Sequence, residues 1–485
     1  MTVANKTKGM IYYALIAATF MISSVGCKTM KPVVMPDLSA MPMQFNQQDT
    51  SAVPMLNWKD IFKDEELRAL IDTALNNNYD LKSETQRIIA AGANLKFAKA
   101  SMLPSLNAGI TAGVDRFGKY TMNGVGNYDT NLSPNVSRDQ MIPSPTQDYF
   151  LGFRSSWEID IWGKLSKRKE AAYSRYLATK LGRQWFQTQV VSQVATMYFE
   201  LIALDKRAEI LRRNIALQKK GVEIIEAQMV GGRATSLAVS QFKAQMMATQ
   251  GREFEIRQAI AKTENELNML LGRYPSKIER DTSSITKVLP DKIYAGIPAN
   301  VILRRPDVQE AELNLRAAKA DVEAARRALL PSLTLDGYTG LNSFKLPLLF
   351  SPGSLAAGVL GGLTAPIFNR GAIKNKNRLA TAAQLGTFYN YQKSILRGVQ
   401  EVSTQLSAID NYKKAYQLKN NEVKELKTSL STANDLYLAG YASYLEVIVA
   451  QGSMLNAEIE QVSLKRQSYT ALINLFRALG GDMGK

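Results

Sequence analysis

No proline falls between Thr146 and Tyr274, and none follows Pro366. Proline breaks helix interiors, so these two stretches are free to run as long helices. Within the first, Val194, Met197, Leu201, Leu204, Ala208, Leu211, Ile215, Val222, Ile225 and Met229 recur at alternating steps of three and four, interrupted where Gln218 takes an apolar slot. Within the second, Val399, Val402, Leu406, Ile409, Tyr412 and Tyr416 lead on to Val423, Leu426, Leu430, Ala433 and Tyr437. This is coiled-coil periodicity, and plain helix packing accounts for it: the stripes are seams, not cofactor boxes. The pattern predicts helices from about Lys164 to Val230 and from about Arg370 to Leu438, each roughly 100 Å long at 1.5 Å per residue. That length suits a structure bridging a wide aqueous space. Leu201 and Leu406 are expected in seams between copies, where an aspartate would weaken assembly.

The two stretches also match each other. At an offset of 208, Gly232 pairs with Gly440, Ala234 with Ala442, Leu237 with Leu445, Val239 with Val447, Leu267 with Leu475, and Leu271-Gly272 with Leu479-Gly480. Upstream, Leu103-Pro104-Ser105-Leu106 recurs as Leu330-Pro331-Ser332-Leu333. The chain is an internal duplication, each half reading helix, strand, strand, helix, helix.

Pro104 ends a helix, and the period then changes to two. Leu106, Ala108, Ile110, Ala112 and Val114 alternate with small or polar residues. Leu151, Phe153, Trp157, Ile159 and Ile161 share a second apolar face, opposite Gly152, Arg154, Ser156, Glu158 and Asp160. Leu333 and Leu335 repeat the pattern after Pro331, and Leu355 to Ile367 gives a weaker version. Each segment is about as long as a tilted membrane strand, some 9–11 residues. A sheet lying on a soluble core would alternate in the same way. Four strands cannot close a barrel, and lipid tolerates no open edge, so strands in a membrane require several copies to share one barrel. Three copies supply twelve strands.

Composition narrows the chemistry. The 485 residues include no histidine and one cysteine. The commonest general base is therefore missing, and an internal disulfide or a cysteine-cluster zinc site is excluded. No nucleotide-binding glycine loop or metal-ligand cluster stands out, so an enzyme reading has little support. The formal charge of +17 is not gathered into runs of the nucleic-acid kind, and no nucleic-acid partner is expected.

Residues 1–26 read as a targeting segment: Lys6 and Lys8 precede an apolar run from Ile11 to Val25, too short for a comfortable span. It ends Ser24-Val25-Gly26-Cys27. Small residues before a cysteine resemble the lipobox of bacterial lipoproteins, which implies acylation of Cys27 and cleavage in front of it. A signal anchor that happens to end in cysteine is the alternative. Lys28 is not the aspartate that retains many lipoproteins in the inner membrane, which favours the outer one. Residues 27–55 read as an acylated, extended tether.

Together these features resemble the TolC-like outer-membrane efflux proteins, in their NodT-type lipoprotein branch. The most specific piece runs Gly296-Ile297-Pro298, Leu303-Arg304-Arg305-Pro306-Asp307-Val308, Ala311-Glu312 and Leu330-Pro331-Ser332-Leu333. Leu67, Leu70-Ile71, Ala74-Leu75, Asn78 and Asp80-Leu81 look like its first-repeat counterpart. The resemblance implies a mostly α fold with a membrane β-barrel: a homotrimer with a twelve-stranded barrel in outer-membrane lipid on a long α-helical barrel in the periplasm. It implies an exit duct without cofactor or chemistry. The partners would be a periplasmic membrane-fusion adaptor and an inner-membrane transporter, often of the resistance-nodulation-division type. Repeats of 56–275 and 299–485 would carry hairpins 104–161 and 331–368, with an equatorial linker at 276–298. Phe117 to Gln147 and Lys345 to Ser354 would be extracellular loops.

At the periplasmic tip the family often places aspartates after a glycine turn. Here the turn is Ala439-Gly440-Tyr441, followed by Leu445-Glu446-Val447-Ile448-Val449. Glu446 and Tyr441 are the gate candidates, and Val449 stands where a second acid occurs in some members. Glu446 either lines a pore as a ring of three carboxylates or lies on an exposed helix face. Two other functions stay open at this point: a non-pore periplasmic coiled-coil spacer, and the exit duct of a protein-secretion system.

Overall fold

Pro104 and Pro331 each stand immediately before a strand. Strands β1 (Ser105–Asp115), β2 (Thr146–Ile159), β3 (Ser332–Ser343) and β4 (Leu355–Thr364) form one antiparallel sheet in the order β1-β2-β3-β4. The computed structural model describes residues 58–282 and 298–481, with isolated positions 36, 37, 40, 42 and 45. Numbering only helices longer than two turns, the chain order is α1 (Glu65–Asn77), α2 (Tyr79–Ala100), β1, α3 (Met122–Leu132), β2, α4 (Lys164–Val230) and α5 (Ser236–Leu270), then α6 (Pro306–Arg327), β3, β4, α7 (Ala372–Leu438) and α8 (Tyr444–Ala478). The long helices α4 and α7 both hold 67 residues.

Two compact units cut across the repeats. One includes Ala98–Lys169 and Ala318–Leu385, the other Glu170–Ala317 and Gly386–Lys485 with the chain from Leu38 to Phe97. Each therefore draws on both halves of the duplication.

The sheet unit is tied to its flanking turns by tryptophans. The Trp157 indole N–H donates to the Met102 carbonyl at 2.9 Å, and that of Trp162 to the Pro331 carbonyl at 2.7 Å. Arg327 donates to the Gly163 carbonyl at 2.9 Å. Gly163 has φ +72°, which favours glycine and turns the chain into α4. The turn corrects one expectation: Ile161 lies in it, beyond the end of β2, although the period-two alternation runs through it. Likewise β4 stops at Thr364, short of Ile367. The first loop is not irregular throughout. It contains α3, held by Asn127 to Thr146 at 3.2 Å and by a two-way bond between the Asn131 amide and the Ile142 backbone.

In the helical unit the seam of α4 is buried: Val194, Leu201, Leu204, Ala208, Leu211, Val222 and Ile225, with Gln218 buried in the slot it takes over. Leu67, Ile71 and Ala74 of α1, Leu267 of α5, and Ile473 and Phe476 of α8 join Leu201 in one core. Leu406 packs with Ile302, Val308 and Leu475 in another. Leu201 and Leu406 are thus covered by their own chain, and an aspartate at either would bury an unpaired charge inside the protomer. The periodicity identified the right face but the wrong neighbour. The stripe of α7 from Tyr412 to Tyr437 is only half-buried.

Phe45, an isolated described position in the tether, is 2% exposed and sits in the cluster of Ile302, Val308 and Leu406. The linker begins as a clamp. Ile278 is buried in the first core, and Arg280 pairs with Asp205 at 2.5 and 2.9 Å and with Glu264 at 2.5 Å.

Candidate functional site

Strand register sorts the sheet into two faces. Pairs such as Ile110 with Leu151, Leu151 with Leu341, and Leu341 with Leu355 put apolar residues of all four strands on one side. Leu106, Ile110, Phe153, Val359 and Leu363 on that side are exposed. The other side carries Asp148, Phe150, Arg154, Glu158, Asp336, Tyr338 and Asn342. There the Arg154 guanidinium lies 4.9 Å from the Phe150 ring centroid, and Phe150 meets Tyr338 edge-on at 6.3 Å. Gly152 and Gly340 face each other so closely that a Cβ on either would fall 2.6 Å from the other's Cα. An apolar exposed face, a polar opposite face and two edge strands, β1 and β4, unpaired among the described residues, suit lipid on one side and water on the other.

The helix pairs end in matching turns. Gly232 (φ +70°) and Gly440 (φ +81°) close α4 and α7, and no atom would meet a Cβ at either, so backbone conformation alone demands glycine. The next amides, of Arg233 and Tyr441, donate to Gln228 and Leu436 at 2.8 Å, completing the left-handed helix stop. Thr235 and Ser443 then cap α5 and α8. Below the first turn Val222, Ile225, Val239 and Phe242 pack with Tyr437, Tyr444 and Ile448. The Tyr437 hydroxyl bonds the Gln228 side-chain oxygen, joining the two helix pairs.

The gate candidates lie at this turn. Tyr441 is exposed. Glu446 is fully exposed and accepts the Ser443 hydroxyl, an interaction that holds its carboxyl below the usual range. Ser443-x-x-Glu446 has the capping-box pattern, present in the sequence and overlooked there, and in the structure the Ser443 hydroxyl accepts the Leu445 amide at 3.3 Å and donates to Glu446. Its first-repeat equivalent is Ala238, which is buried. Cys27 lies outside the described residues.

The signature residues are structural. Arg305 is 1% exposed. It binds Asp307 at 3.0 and 2.9 Å, Glu401 at 2.9 Å and the Ala478 carbonyl at 2.7 Å, and stacks 4.8 Å from Trp185. Pro306 opens α6, where a missing N–H is harmless. Glu401, Trp185 and the Ala478 carbonyl carried no local signal. Beside this cluster, Glu310 lies on Gly182, where a Cβ would come 3.0 Å from its carboxylate. Burial, with like charge from Asp307 and Glu84, raises the Glu310 pKa.

Among the described residues no helix is long and apolar enough to cross a membrane, and no group of three or more His, Cys, Asp or Glu could hold a metal. The exposed apolar sheet face defines a class, a protein whose strands meet lipid.

Comparison with known proteins agrees. Residues 70–273 and 297–481 match the outer membrane efflux protein family, and the chain belongs to that family. It is 29% identical over 464 residues to the probable outer membrane lipoprotein SilC of Salmonella typhimurium, covering 94% of this chain and 96% of SilC. It is 30% identical over 440 residues to the outer membrane protein OprJ of Pseudomonas aeruginosa, covering 90% and 88%. The crystal structure of CusC superposes with a TM-score of 0.79 at 26% identity, covering 93% of this chain and 99% of CusC. A membrane protein from Pseudomonas aeruginosa superposes with 0.82 at 26% identity, covering 94% and 100%. The protein is an outer-membrane channel of a tripartite efflux system and not an enzyme.

Proposed function

We propose that three copies assemble into one passive duct, each contributing its four strands to a shared barrel. The observation that carries this reading is the exposed apolar face of a sheet whose two edge strands have no partner among the described residues. Such a sheet is costly in water and cannot sit in lipid with open edges. The polar face with Arg154 and Glu158 would line the water-filled barrel. Cys27 would carry the lipid anchor, and the turns at Gly232 and Gly440 would form the periplasmic end. There Glu446 would stand as a ring of three carboxylates and Tyr441 would help hold the closed state. A periplasmic adaptor and an inner-membrane transporter, of the resistance-nodulation-division type, would dock below. The cargo would be small solutes. The spacer reading leaves the four alternating strands without a role.

Planar-bilayer conductance of the purified full chain, with its mass in detergent by light scattering, tests the proposal. A conducting trimer supports it. A monomer with intact secondary structure, or a trimer without a pore, would overturn it.

A further inference from the structure

We infer that neighbouring copies join with Val359 of β4 opposite Val114 of the next copy's β1, Leu363 opposite Ile110 and, once β4 extends past Thr364 along its new neighbour, Ile367 opposite Leu106, a register dictated by the chain's own duplication. This rests on the trimeric reading above.

Two offsets relate the halves. An offset of 227 carries Leu103-Pro104-Ser105-Leu106 onto Leu330-Pro331-Ser332-Leu333, and so β1 onto β3. An offset of 208 carries Gly163 (φ +72°) onto Gly371 (φ +75°), and so β2 onto β4. The sheet itself checks both. In the first hairpin Leu106 pairs with Ser155, Ala112 with Tyr149 and Gly113 with Asp148. The offsets convert these into Leu333 with Leu363, Thr339 with Ala357 and Gly340 with Ala356, all of which are pairs of the second hairpin. The two hairpins share one register without a slip.

The remaining ladder joins β2 to β3, and in a closed ring its counterpart is β4 joined to the next copy's β1. The same offsets turn Leu151–Leu341, Ser155–Gly337 and Ile159–Leu333 into the three pairs stated above. Features that played no part in the derivation agree with it. Each derived pair matches apolar face to apolar face. Ile367 and Leu106 are 98% and 71% exposed, as residues waiting for a partner would be. The Gly152–Gly340 pair becomes Leu360 opposite Gly113. Leu360 is the large apolar side chain on the polar face of β4 and is 70% exposed. Gly113 has no need of its glycine within its own chain, since the nearest atom to a Cβ there is the Asp148 carbonyl oxygen at 4.0 Å. The register leaves room beside Gly113 for the Leu360 side chain.

A slip of one residue would turn every side chain to the wrong face. Slips of two keep the faces, so they are the alternatives to discriminate: Val359 opposite Ala112 or opposite Arg116. Directly opposed strand residues stand close enough for a disulfide. The two edges of one chain are three strand spacings apart, about 14 Å, beyond disulfide reach, so any link joins two copies. The double variants Val359→Cys/Val114→Cys, Val359→Cys/Ala112→Cys and Val359→Cys/Arg116→Cys are made in the full chain, purified in detergent and oxidised with copper phenanthroline. The expected result is a covalent trimer on denaturing gels, forming several-fold faster for the Val114 pair. Faster linkage of either slipped pair, or no linkage in a sample that light scattering shows to be trimeric, overturns the register. A monomer by light scattering overturns the trimeric reading and the register with it.

Discussion

Asn78 and Arg305 occupy equivalent positions of the two repeats, and each donates to the carbonyl that ends the closing helix of its own half. Asn78 reaches Leu270, the last residue of α5, at 2.9 Å; Arg305 reaches Ala478, the last residue of α8, at 2.7 Å. Helix ends leave such carbonyls unpaired, and one side chain per repeat satisfies them. Asn78 also accepts the Leu81 amide at 2.9 Å and so starts α2. Arg305 instead binds Asp307 and Glu401. The neutral and the charged version of one joint should respond differently to truncation. Asn78→Ala should cost about 1–3 kcal/mol through unpaired buried groups. Arg305→Ala should cost more, about 3–5 kcal/mol, because Asp307 loses its cation and Glu401 loses one of three, keeping Arg397 and Arg477. Thermal melts followed by circular dichroism would rank the two, and equal losses would refute the distinction.

Glu310 should make stability depend on pH. Its folded pKa is raised by burial and by the charges of Asp307 and Glu84. A raised acid gives stability that is fully present below its unfolded pKa and lost as pH rises through the folded value. Glu310→Gln should therefore melt above the wild type at neutral pH and converge with it in acid. A variant that melts lower at pH 7 would show that the ionised form is the favoured one.

Glu446→Gln separates capping from pore lining. A glutamine side-chain oxygen can still accept the Ser443 hydroxyl, and Ser443 still caps the Leu445 amide, so the helix start and the trimer should survive. A ring of carboxylates in a narrow pore attracts cations. The variant should lose block by multivalent cations added from the periplasmic side, together with part of its cation selectivity. Unchanged block and selectivity in bilayers would mean that Glu446 serves only as a cap.

Cys27→Ser should abolish labelling by radioactive palmitate and stall signal processing. Equal labelling of variant and wild type would remove the lipobox reading. Barrel insertion should persist in the variant, since a single acyl anchor is secondary to a closed barrel.

Much of the architecture is legible before any coordinates. The ends of α4 at Lys164 and Val230 and of α7 at Leu438 fall where periodicity and the glycine turns place them. Proline marks the start of β1 and of β3. The misses have physical causes. The α3 sequence contains Gly124 and Gly126 and three asparagines, weak helix formers, and its stability comes from contacts with Thr146 and Ile142. Ile161 keeps the strand alternation because periodicity cannot register the positive φ at Gly163. The stripes of α4 and α7 reveal which face is covered but not by what, so Leu201 and Leu406 read as assembly seams. The partners of Arg305 lie 96 and 173 residues away in sequence, at Glu401 and Ala478, and only the fold brings them together.

Phe45, seated beside Ile302 and Val308, gives the N-terminal segment a fixed mooring. Phe45 lies eighteen residue steps from Cys27, a reach of at most roughly 60 Å for a fully extended chain. An acyl group on Cys27 could enter a bilayer only within that radius. The segment would then work as a leash of set length: residues exchanged within it should be neutral, whereas deletions should bring the lipid and the Phe45 socket into a tug-of-war.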